Sequence, residues 1–359
     1  MNLRPNPIDS QRIAVIPGDG IGREVIAEAV KVLEAAKARF SLPLAFVHYP
    51  WSADHYLETG VSMPAGMMDR LRDEHAAILI GAFGDPRIPD MRHAADILLG
   101  IRFQLDLYVN FRPVKLLDER LCPLKGKRVE DVDFVVFREN TEGPYVNVGG
   151  VFKKGTADEI SLQEEIHTRK GVERILRAAF DWAVANGKTR VLMTDKSNVM
   201  RHGHDLWQRV FRELAPQYPG IEASHMFVDA LAMQMVLTPE AFQVIVGNNL
   251  FGDILTDLGA ALQGGLGVAA SANLHPGRTS MFEPVHGSAP PLVGTGKANP
   301  VGAVLSAALM LRDLRHVEAA EALEDAVEQT VRGRECTADL GGRLTTAQVG
   351  DRLAERVSG

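Results

Sequence analysis

Continuous apolar runs alternate with amphipathic stretches along most of the chain. Short runs rich in β-branched residues predict buried strands at 12–17, 76–81, 133–138, 190–196 and 242–246. Spacing of apolar residues at three and four positions predicts helices at 23–38, 317–331 and 346–357. Buried strands that alternate with helices are typical of an α/β fold with a mostly parallel sheet covered on both faces.

The segment 143–166 departs from this pattern. It begins rich in glycine and then alternates loosely between apolar and polar residues through 159–163. This predicts an exposed hairpin or arm. Because exposed strands pair readily with other chains, we expect a second subunit.

Composition limits the class of protein. With 359 residues the chain is long enough for two domains, and 46% hydrophobic with 24% charged residues is typical of a globular protein. A net charge of −7 argues against nucleic acid as a partner. The longest apolar run, 301–311, is too short to span a bilayer, and 1–11 has no signal-like apolar core. Since Cys122 and Cys336 form no CxxC motif, we predict a cytoplasmic protein without a membrane partner.

A glycine turn, Gly18 to Gly22, follows the first predicted strand. Its spacing is G-x-G-x-G rather than the G-x-G-x-x-G of a Rossmann fingerprint, and no convincing acid lies about 20 residues further on. The turn instead predicts a backbone that passes close to a ligand.

Two aspartates, Asp253 and Asp257, lie four residues apart in the apolar segment 248–259. On a helix they share one face, with Cβ atoms about 6 Å apart. Carboxylates so placed repel each other, so a cation between them is expected. Oxygen ligands without nearby Cys or His favour Mg²⁺ or Mn²⁺ over zinc. The pair alone is equally compatible with an amphipathic helix whose aspartates face water.

Three arginines, Arg102, Arg112 and Arg138, lie at the ends of apolar elements. Any one of them alone is best explained as a solvated surface charge. Together they favour a carboxylate site, because the guanidinium fork matches a carboxylate.

Several motifs occur in order from about residue 12 to residue 343. They are PGDGIG at 17–22, FRP at 111–113, RENTEGPY at 138–145, TDKSNV at 194–199, VDA at 228–230, NNLFGDILTD at 248–257 and FEPVHGSAP at 282–290. Together they resemble the metal-dependent β-decarboxylating dehydrogenases, which act on isopropylmalate, isocitrate, homoisocitrate, tartrate or D-malate.

The resemblance implies a fold like that of isopropylmalate dehydrogenases, which is not a Rossmann fold. Two α/β domains would share a central, mostly parallel sheet system. The first, on the cofactor side, would be discontinuous, at 1–107 and 264–359. The second, 108–263, would carry the metal site and a dimer arm at about 143–166.

The resemblance also implies roles for individual residues. Asp253 and Asp257 would bind Mg²⁺ or Mn²⁺ together with Asp229 of the other subunit of a homodimer, so that active sites are shared. Lys196, also from the other subunit, would take the proton of the substrate hydroxyl, and Tyr145 would reprotonate the product. The substrate carboxylate that leaves as CO₂ would be held by Arg102, Arg112 and Arg138.

The implied cofactor is NAD. Asn198 would orient the nicotinamide, and the adenosine site would be lined by His286, Gly287, Ser288, Ala289 and Asn299. Pro291 stands where NAD-dependent relatives carry an aspartate, whereas Asp339, in a TADLGG segment, would disfavour a 2′-phosphate. We therefore expect NAD⁺ to be preferred with weak selectivity.

The substrate is expected to be a small hydroxy acid of the (2R)-malate type. Leu98, Leu99 and Val199 would form an apolar pocket, and Asp96 would repel a third carboxylate. This favours 3-isopropylmalate, oxidised to 4-methyl-2-oxopentanoate in leucine biosynthesis. D-malate and tartrate are the alternatives, since RENTEGPY resembles their branch. A regulatory subunit without activity is the non-enzymatic alternative, although the predicted base, acid and metal ligands are all present.

Overall fold

The computed structural model describes residues 10–359. The strands are β1 Gln11–Ile16, β2 Leu44–His48, β3 Ala77–Ile80, β4 Val109–Lys115, β5 Asp133–Glu139, β6 Gly149–Phe152, β7 Ile160–Gln163, β8 Arg190–Asp195, β9 Glu222–Phe227, β10 Val244–Gly247, β11 Ala270–Leu274 and β12 Ser280–Pro284. The α-helices are α1 Gly22–Phe40, α2 Ala53–Thr59, α3 Met67–Glu74, α4 Arg92–Ala94, α5 Gly100–Gln104, α6 Arg169–Ala185, α7 Gly203–Leu214, α8 Val228–Leu237, α9 Asn249–Gln263, α10 Val301–Asp313, α11 Val317–Arg332 and α12 Thr346–Ser358.

The chain folds into two compact units. Unit 1 comprises residues up to Leu107, Pro113–Val132 and Ala260–Gly359. Its strands lie in the order β2-β1-β3-β12-β11, parallel except for the antiparallel pair β11 and β12. Helices α1, α10, α11 and α12 pack against one another. Strands β1 and β3 contribute fully buried side chains to the core, as their continuous apolar sequences predict.

Unit 2 comprises Tyr108–Arg112 and Asp133–Gly259. Strands β5, β10, β8 and β9 lie side by side in that order and are all parallel. Because parallel strands end at the same edge of a sheet, the residues that follow β5, β8 and β10 are brought to one edge. Charged or polar residues stand there: Glu139 ends β5, Lys196 follows β8 and Asn248 follows β10.

The predicted α/β class is confirmed, with a mostly parallel arrangement of strands. The five predicted strands and three predicted helices are present within a few residues of their expected ends. Residues 149–163 form the expected hairpin from β6 and β7, with every strand residue exposed. Cys122 and Cys336 are both free. Among residues 10–359, none of the helices combines the length and apolarity that a bilayer crossing needs.

The glycine turn after β1 is required by the protein's own backbone. Gly20 has φ +55°, and a Cβ there would lie 2.1 Å from the carbonyl oxygen of Ser288. The amide of Ile21 donates to that oxygen at 2.9 Å. The sequence predicted that the backbone of this turn passes close to a ligand. In this structure the turn passes close to the loop that contains Ser288.

Candidate active site

Asp253 is the centre of a polar cluster in unit 2. Arg138 Nη1 donates to Asp253 Oδ1 at 2.6 Å, and Arg112 Nη1 lies 3.2 Å from the same oxygen. The hydroxyl of Tyr145 donates to Asp253 Oδ2 at 2.8 Å. The Arg138 side chain is only 2% exposed and that of Arg112 only 8%. The structure thus brings together a predicted metal ligand, two predicted carboxylate-binding arginines and the predicted acid.

Close packing of α9 on β5 builds this cluster. Arg138, near the end of β5, donates from Nε to the backbone oxygen of Asn249 at 2.9 Å and to its side-chain oxygen at 3.0 Å. A Cβ at residue 252 would lie 2.7 Å from Arg138 Cβ, so glycine is needed there. Arg112 donates to Thr256 Oγ1 at 2.6 Å. The first turns of α9 are therefore held against both arginines.

Asp257 lies one turn beyond Asp253 on α9 and is exposed. Partial loss of hydration raises the pKa of its carboxyl; Arg112 and Arg138 oppose this increase, and Asp253 adds to it. Two carboxylates on one helix, with oxygen atoms as the only donors, suit a hard divalent cation. The residues present therefore fit Mg²⁺ or Mn²⁺.

Lys196 and Asp229 form a second pair in unit 2. Lys196 directly follows β8, and its ammonium donates to the carboxylate of Asp229 in the first turn of α8. This hydrogen bond lowers the pKa of Asp229. Within residues 10–359 of one chain, Asp229, Asp253 and Asp257 do not gather into a three-ligand group. Their joint role across a subunit boundary stays a prediction.

Two more predicted residues follow Lys196 in the same loop. Asn198 is exposed, and Val199 is 66% exposed. In the single chain, most of the Val199 side chain is therefore not covered by other residues of the protein. The roles of Asn198 and Val199 also stay predictions.

Arg102, in unit 1, is paired with an acid that the sequence reasoning missed. Its Nη2 donates to Glu283 Oε1 at 2.7 Å, and Asn273 Nδ2 donates to the same oxygen at 2.8 Å. Both Arg102 and Glu283 are nearly buried. Glu283 lies within the FEPVHGSAP motif, so its position in that motif was the available signal. The Arg102 charge is therefore balanced within the protein.

The predicted substrate pocket in unit 1 coincides with a π-helix at Ala95–Leu99, between α4 and α5. π-turns widen a helix and are frequent at functional sites. Leu98 packs against the core, and Leu99 is half-buried. The exposed Asp96 accepts a hydrogen bond from Ser62 Oγ at 2.7 Å. Asp96 is thus held by a neighbour from outside the pocket motif.

His286, predicted for the adenosine site, is buried. Its Nδ1 lies 3.0 Å from the carbonyl oxygen of Gly287. Since a carbonyl only accepts, the neutral ring carries its proton on Nδ1, and Nε2 is an acceptor. Burial lowers the pKa of His286, which favours this neutral form. Nε2 is buried without a hydrogen-bond partner among the described residues, so it fits an N–H or O–H donor of a nucleotide.

Asp339 and the rest of the predicted adenosine residues also lie in unit 1. Asn299 Nδ2 and Thr337 Oγ1 donate to the two oxygens of Asp339, at 2.9 and 2.5 Å. Ser288 is buried beside Gly20, and Ala289 adopts φ +40°. Gly287 is exposed.

Two arginines beside Asp339 were missed by the sequence reasoning. A cavity of about 320 Å³ is lined by Arg120, Leu121, Gly264, Arg334, Asp339, Leu340 and Gly341. The Arg120 guanidinium donates to the carbonyls of Leu340 and Val331 and lies 3.2 Å from Asp118. Residues so distant in sequence carry no local signal that they share a cavity.

Comparison with known proteins gives a consistent result. The sequence model of the isocitrate/isopropylmalate dehydrogenase family matches residues 12–353. A 3-isopropylmalate dehydrogenase of Thermobifida fusca is 46% identical over 97% of this chain and 98% of its own. A probable tartrate dehydrogenase/decarboxylase of Bacillus subtilis is 44% identical over 96% and 97%. The crystal structure of isocitrate dehydrogenase from Methylococcus capsulatus superposes with a TM-score of 0.87 at 35% identity, covering 97% of this chain and 100% of that one.

Proposed function

The chain belongs to the isocitrate/isopropylmalate dehydrogenase family, and we propose that it oxidises and decarboxylates 3-isopropylmalate to 4-methyl-2-oxopentanoate with NAD⁺. The observation that carries the proposal is the convergence of Arg112, Arg138 and Tyr145 on Asp253. This cluster offers cationic groups for a substrate carboxylate beside a metal ligand and a proton donor. The relative from Thermobifida fusca, named for 3-isopropylmalate, supports the choice of substrate.

The chemistry follows from the groups present. Arg102, Arg112 and Arg138 would hold the carboxylate that leaves as CO₂. Asp229, Asp253 and Asp257 would hold Mg²⁺ or Mn²⁺, which when bound supplies Lewis-acid stabilisation of negative charge on the substrate oxygens. Lys196 would accept the proton of the C2 hydroxyl, and Tyr145 would donate a proton to carbon after CO₂ leaves. Lys196 and Asp229 are hydrogen-bonded to each other in the single chain, and Lys196 must lose a proton from its ammonium group before it can act as the base.

A homodimer with shared sites is part of the proposal. Apolar side chains are exposed at helical spacing on α8 and α9, namely Met233, Val236 and Leu237 on α8 and Leu250 and Ile254 on α9. Ile254 is 60% exposed beside Asp253, and Phe152 on the β6–β7 arm is 62% exposed. Clustered exposed apolar side chains mark interaction surfaces. A second copy of the chain would cover them and bring its Lys196 and Asp229 to this site.

The proposed cofactor is NAD⁺ with weak selectivity over NADP⁺. Asp339 places a negative charge in the predicted adenosine region, which disfavours a 2′-phosphate. Pro291 is exposed and supplies neither an acceptor nor a cation. Arg120 and Arg334, which share the cavity with Asp339, limit the discrimination because they offer cations to a phosphate.

D-malate or tartrate is the alternative substrate, supported by the relative from Bacillus subtilis. Steady-state kinetics on 3-isopropylmalate, D-malate, tartrate and isocitrate, each with NAD⁺ and NADP⁺ and with Mg²⁺ or Mn²⁺, tests the proposal. We expect the highest kcat/KM with 3-isopropylmalate and NAD⁺, and loss of turnover when EDTA removes the metal. A higher value with D-malate or tartrate would transfer the assignment to that acid. A preference for NADP⁺ would direct attention to Arg120 and Arg334.

A further inference from the structure

A largely buried cluster of polar side chains contacts the backbone amide of Lys196 in unit 2. Glu165, His167 and His204 bring one carboxylate oxygen and two imidazole nitrogens within 4.8 Å of one another. Such a trio has the ligand types of a transition-metal site. Whether the trio can bind a metal depends on which nitrogen of each imidazole carries the proton. The hydrogen bond to Nδ1 of each ring determines this.

His204 is held as one tautomer. The backbone amide of Lys196 donates to His204 Nδ1 at 2.7 Å. A backbone N–H only donates, so Nδ1 carries no proton and the neutral ring is protonated at Nε2. That nitrogen lies 3.5 Å from Glu165 Oε2. His204 is completely buried.

His167 is held in the same way. The indole N–H of Trp207 donates to His167 Nδ1 at 3.3 Å, and an indole nitrogen also only donates. His167 Nε2 therefore carries the proton and lies 3.2 Å from Glu165 Oε1, in a bent contact. Neither imidazole has a free lone pair directed at Glu165, so the trio is not arranged to bind a metal.

Asn248 connects the cluster to α9. Its Oδ1 accepts from the amide of Phe251 at 2.9 Å, in the first turn of α9. Its Nδ2 donates to Glu165 Oε1 at 2.7 Å. The same nitrogen lies 3.3 Å from His204 Nε2; because both atoms carry protons, they converge on Glu165 rather than bond to each other.

The ionised carboxylate of Glu165 suits these three donors. Burial alone would raise its pKa, but the imidazole N–H groups of His167 and His204 outweigh burial and lower it to about 2. A negative charge at Glu165 is the form that accepts from Asn248 Nδ2 and attracts the nearby Nε2–H groups of both histidines.

We infer that His204 and Glu165 are positioning residues that fix the backbone of Lys196. They also couple this backbone to the first turn of α9, the helix that carries Asp253 further along. His204 acts directly, by accepting from the Lys196 amide. Glu165 acts through His204 and Asn248. The inference rests on the proposed function, in which Lys196 is the base and Asp253 a metal ligand.

Variants at position 204 separate positioning from folding. His204→Phe keeps ring volume and leaves the Lys196 amide without its acceptor. His204→Asn restores an acceptor at the place of Nδ1. His202→Phe is the matched control, because His202 is exposed and directly precedes α7, the helix that carries His204. The readouts are hydrogen exchange of the Lys196 amide by NMR, and kcat and KM for 3-isopropylmalate.

In His204→Phe we expect hydrogen exchange of the Lys196 amide to become about tenfold faster or more. We expect kcat to fall by about tenfold or more, with KM changed less than about threefold. His204→Asn should return both values to within about threefold of wild type, and His202→Phe should leave both unchanged. Calorimetric titration with Zn²⁺ should give the same binding for wild type and Glu165→Gln, because the trio does not bind the metal.

Different outcomes overturn different steps. Unchanged exchange in His204→Phe would refute the contact with the Lys196 amide. Faster exchange with normal kcat would refute positioning. Zinc binding that Glu165→Gln abolishes would refute the tautomer assignment and make the trio a metal site. A wild-type protein that oxidises none of the four acids would refute the proposed function, while the exchange result would still decide the contact.

Discussion

At the scale of single residues, most charges of the site have a specific partner. Arg138 and Arg112 both contact Asp253, Glu283 is paired with Arg102, and Lys196 is paired with Asp229. Substrate and metal would have to replace some of these partners. The roles of individual residues are therefore best tested by removing one partner at a time.

Replacement of Lys196 by methionine tests the proposed base. Lys196→Met keeps the side-chain length but cannot accept a proton, so kcat should fall by about a hundredfold to ten-thousandfold. Lys188→Met is the control, because Lys188 lies two residues before β8, at the other end of the strand, and its Nζ is 3.9 Å from Asp133 Oδ2. Near-normal turnover of Lys196→Met in a metal-replete assay would contradict the assignment.

Stability of the Glu165 cluster should depend on pH. The folded-state pKa of Glu165 is lowered from 4.5 to about 2, so its contribution is complete above the unfolded-state pKa and is lost as the pH falls toward 2. At pH 6, Glu165→Gln should lower the free energy of unfolding by roughly 1.5–3 kcal/mol, the usual contribution of a hydrogen bond to a charged group.

Urea unfolding of wild type and Glu165→Gln at steps from pH 6 to pH 3 measures this. The difference between the two proteins should be constant down to about pH 4.5 and shrink below it. A difference that does not change with pH would mean that Glu165 is not ionised in the folded protein.

At the scale of elements, backbone geometry sets where side chains can reach. The π-helix at Ala95–Leu99 interrupts the helix that carries the predicted substrate pocket. Gly252 lets α9 approach Arg138, and Gly20 lets the first turn approach the Ser288 loop. These glycines are needed because another part of the chain occupies the space of a side chain.

Two glycines with positive φ provide a matched test of this reason. Gly20 and Gly60 have φ +55° and +71°, but only Gly20 has a neighbour, Ser288 O, within reach of a Cβ. Gly60→Ala should cost only the backbone strain, about 1 kcal/mol. Gly20→Ala adds a steric clash and should cost about 2–4 kcal/mol. Urea unfolding measures both, and equal losses would mean that the Ser288 loop moves away freely.

At the scale of the whole molecule, the proposal builds each active site from two chains. Asp253 and Asp257 lie in unit 2 of one chain, and that chain's own Asp229 does not join them in a three-ligand group among residues 10–359. In that proposal, a second copy would cover the exposed apolar side chains of α8, α9 and the β6–β7 arm.

Mixed dimers test whether sites are shared. Lys196→Met and Asp253→Asn should each be inactive alone. After subunit exchange, heterodimers should regain activity, because one site then contains both substitutions and the other contains neither. Turnover of the mixture, with exchange verified by mass spectrometry of differently tagged chains, is the measurement. Verified exchange without recovered activity would show that each site is built within a single chain.

The sequence by itself determined the elements and much of the local chemistry. Buried strands such as β1, β5 and β8 were predictable because apolar runs record local burial. The four-residue spacing of Asp253 and Asp257 predicted a shared face on condition that the segment is helical, and α9 meets that condition. The motifs predicted the family, which the comparisons confirm.

Only the tertiary structure decided which distant residues meet. Glu283 and Arg102 are 181 residues apart, and Arg120 and Leu340 are 220 apart. The Glu165 cluster joins residues that lie before α6, within α7 and after β10. Strand order and helix packing bring such residues together, and local sequence patterns do not record long-range pairing. The tautomers of His167 and His204 likewise depend on donors supplied by Trp207 and Lys196 in the folded chain.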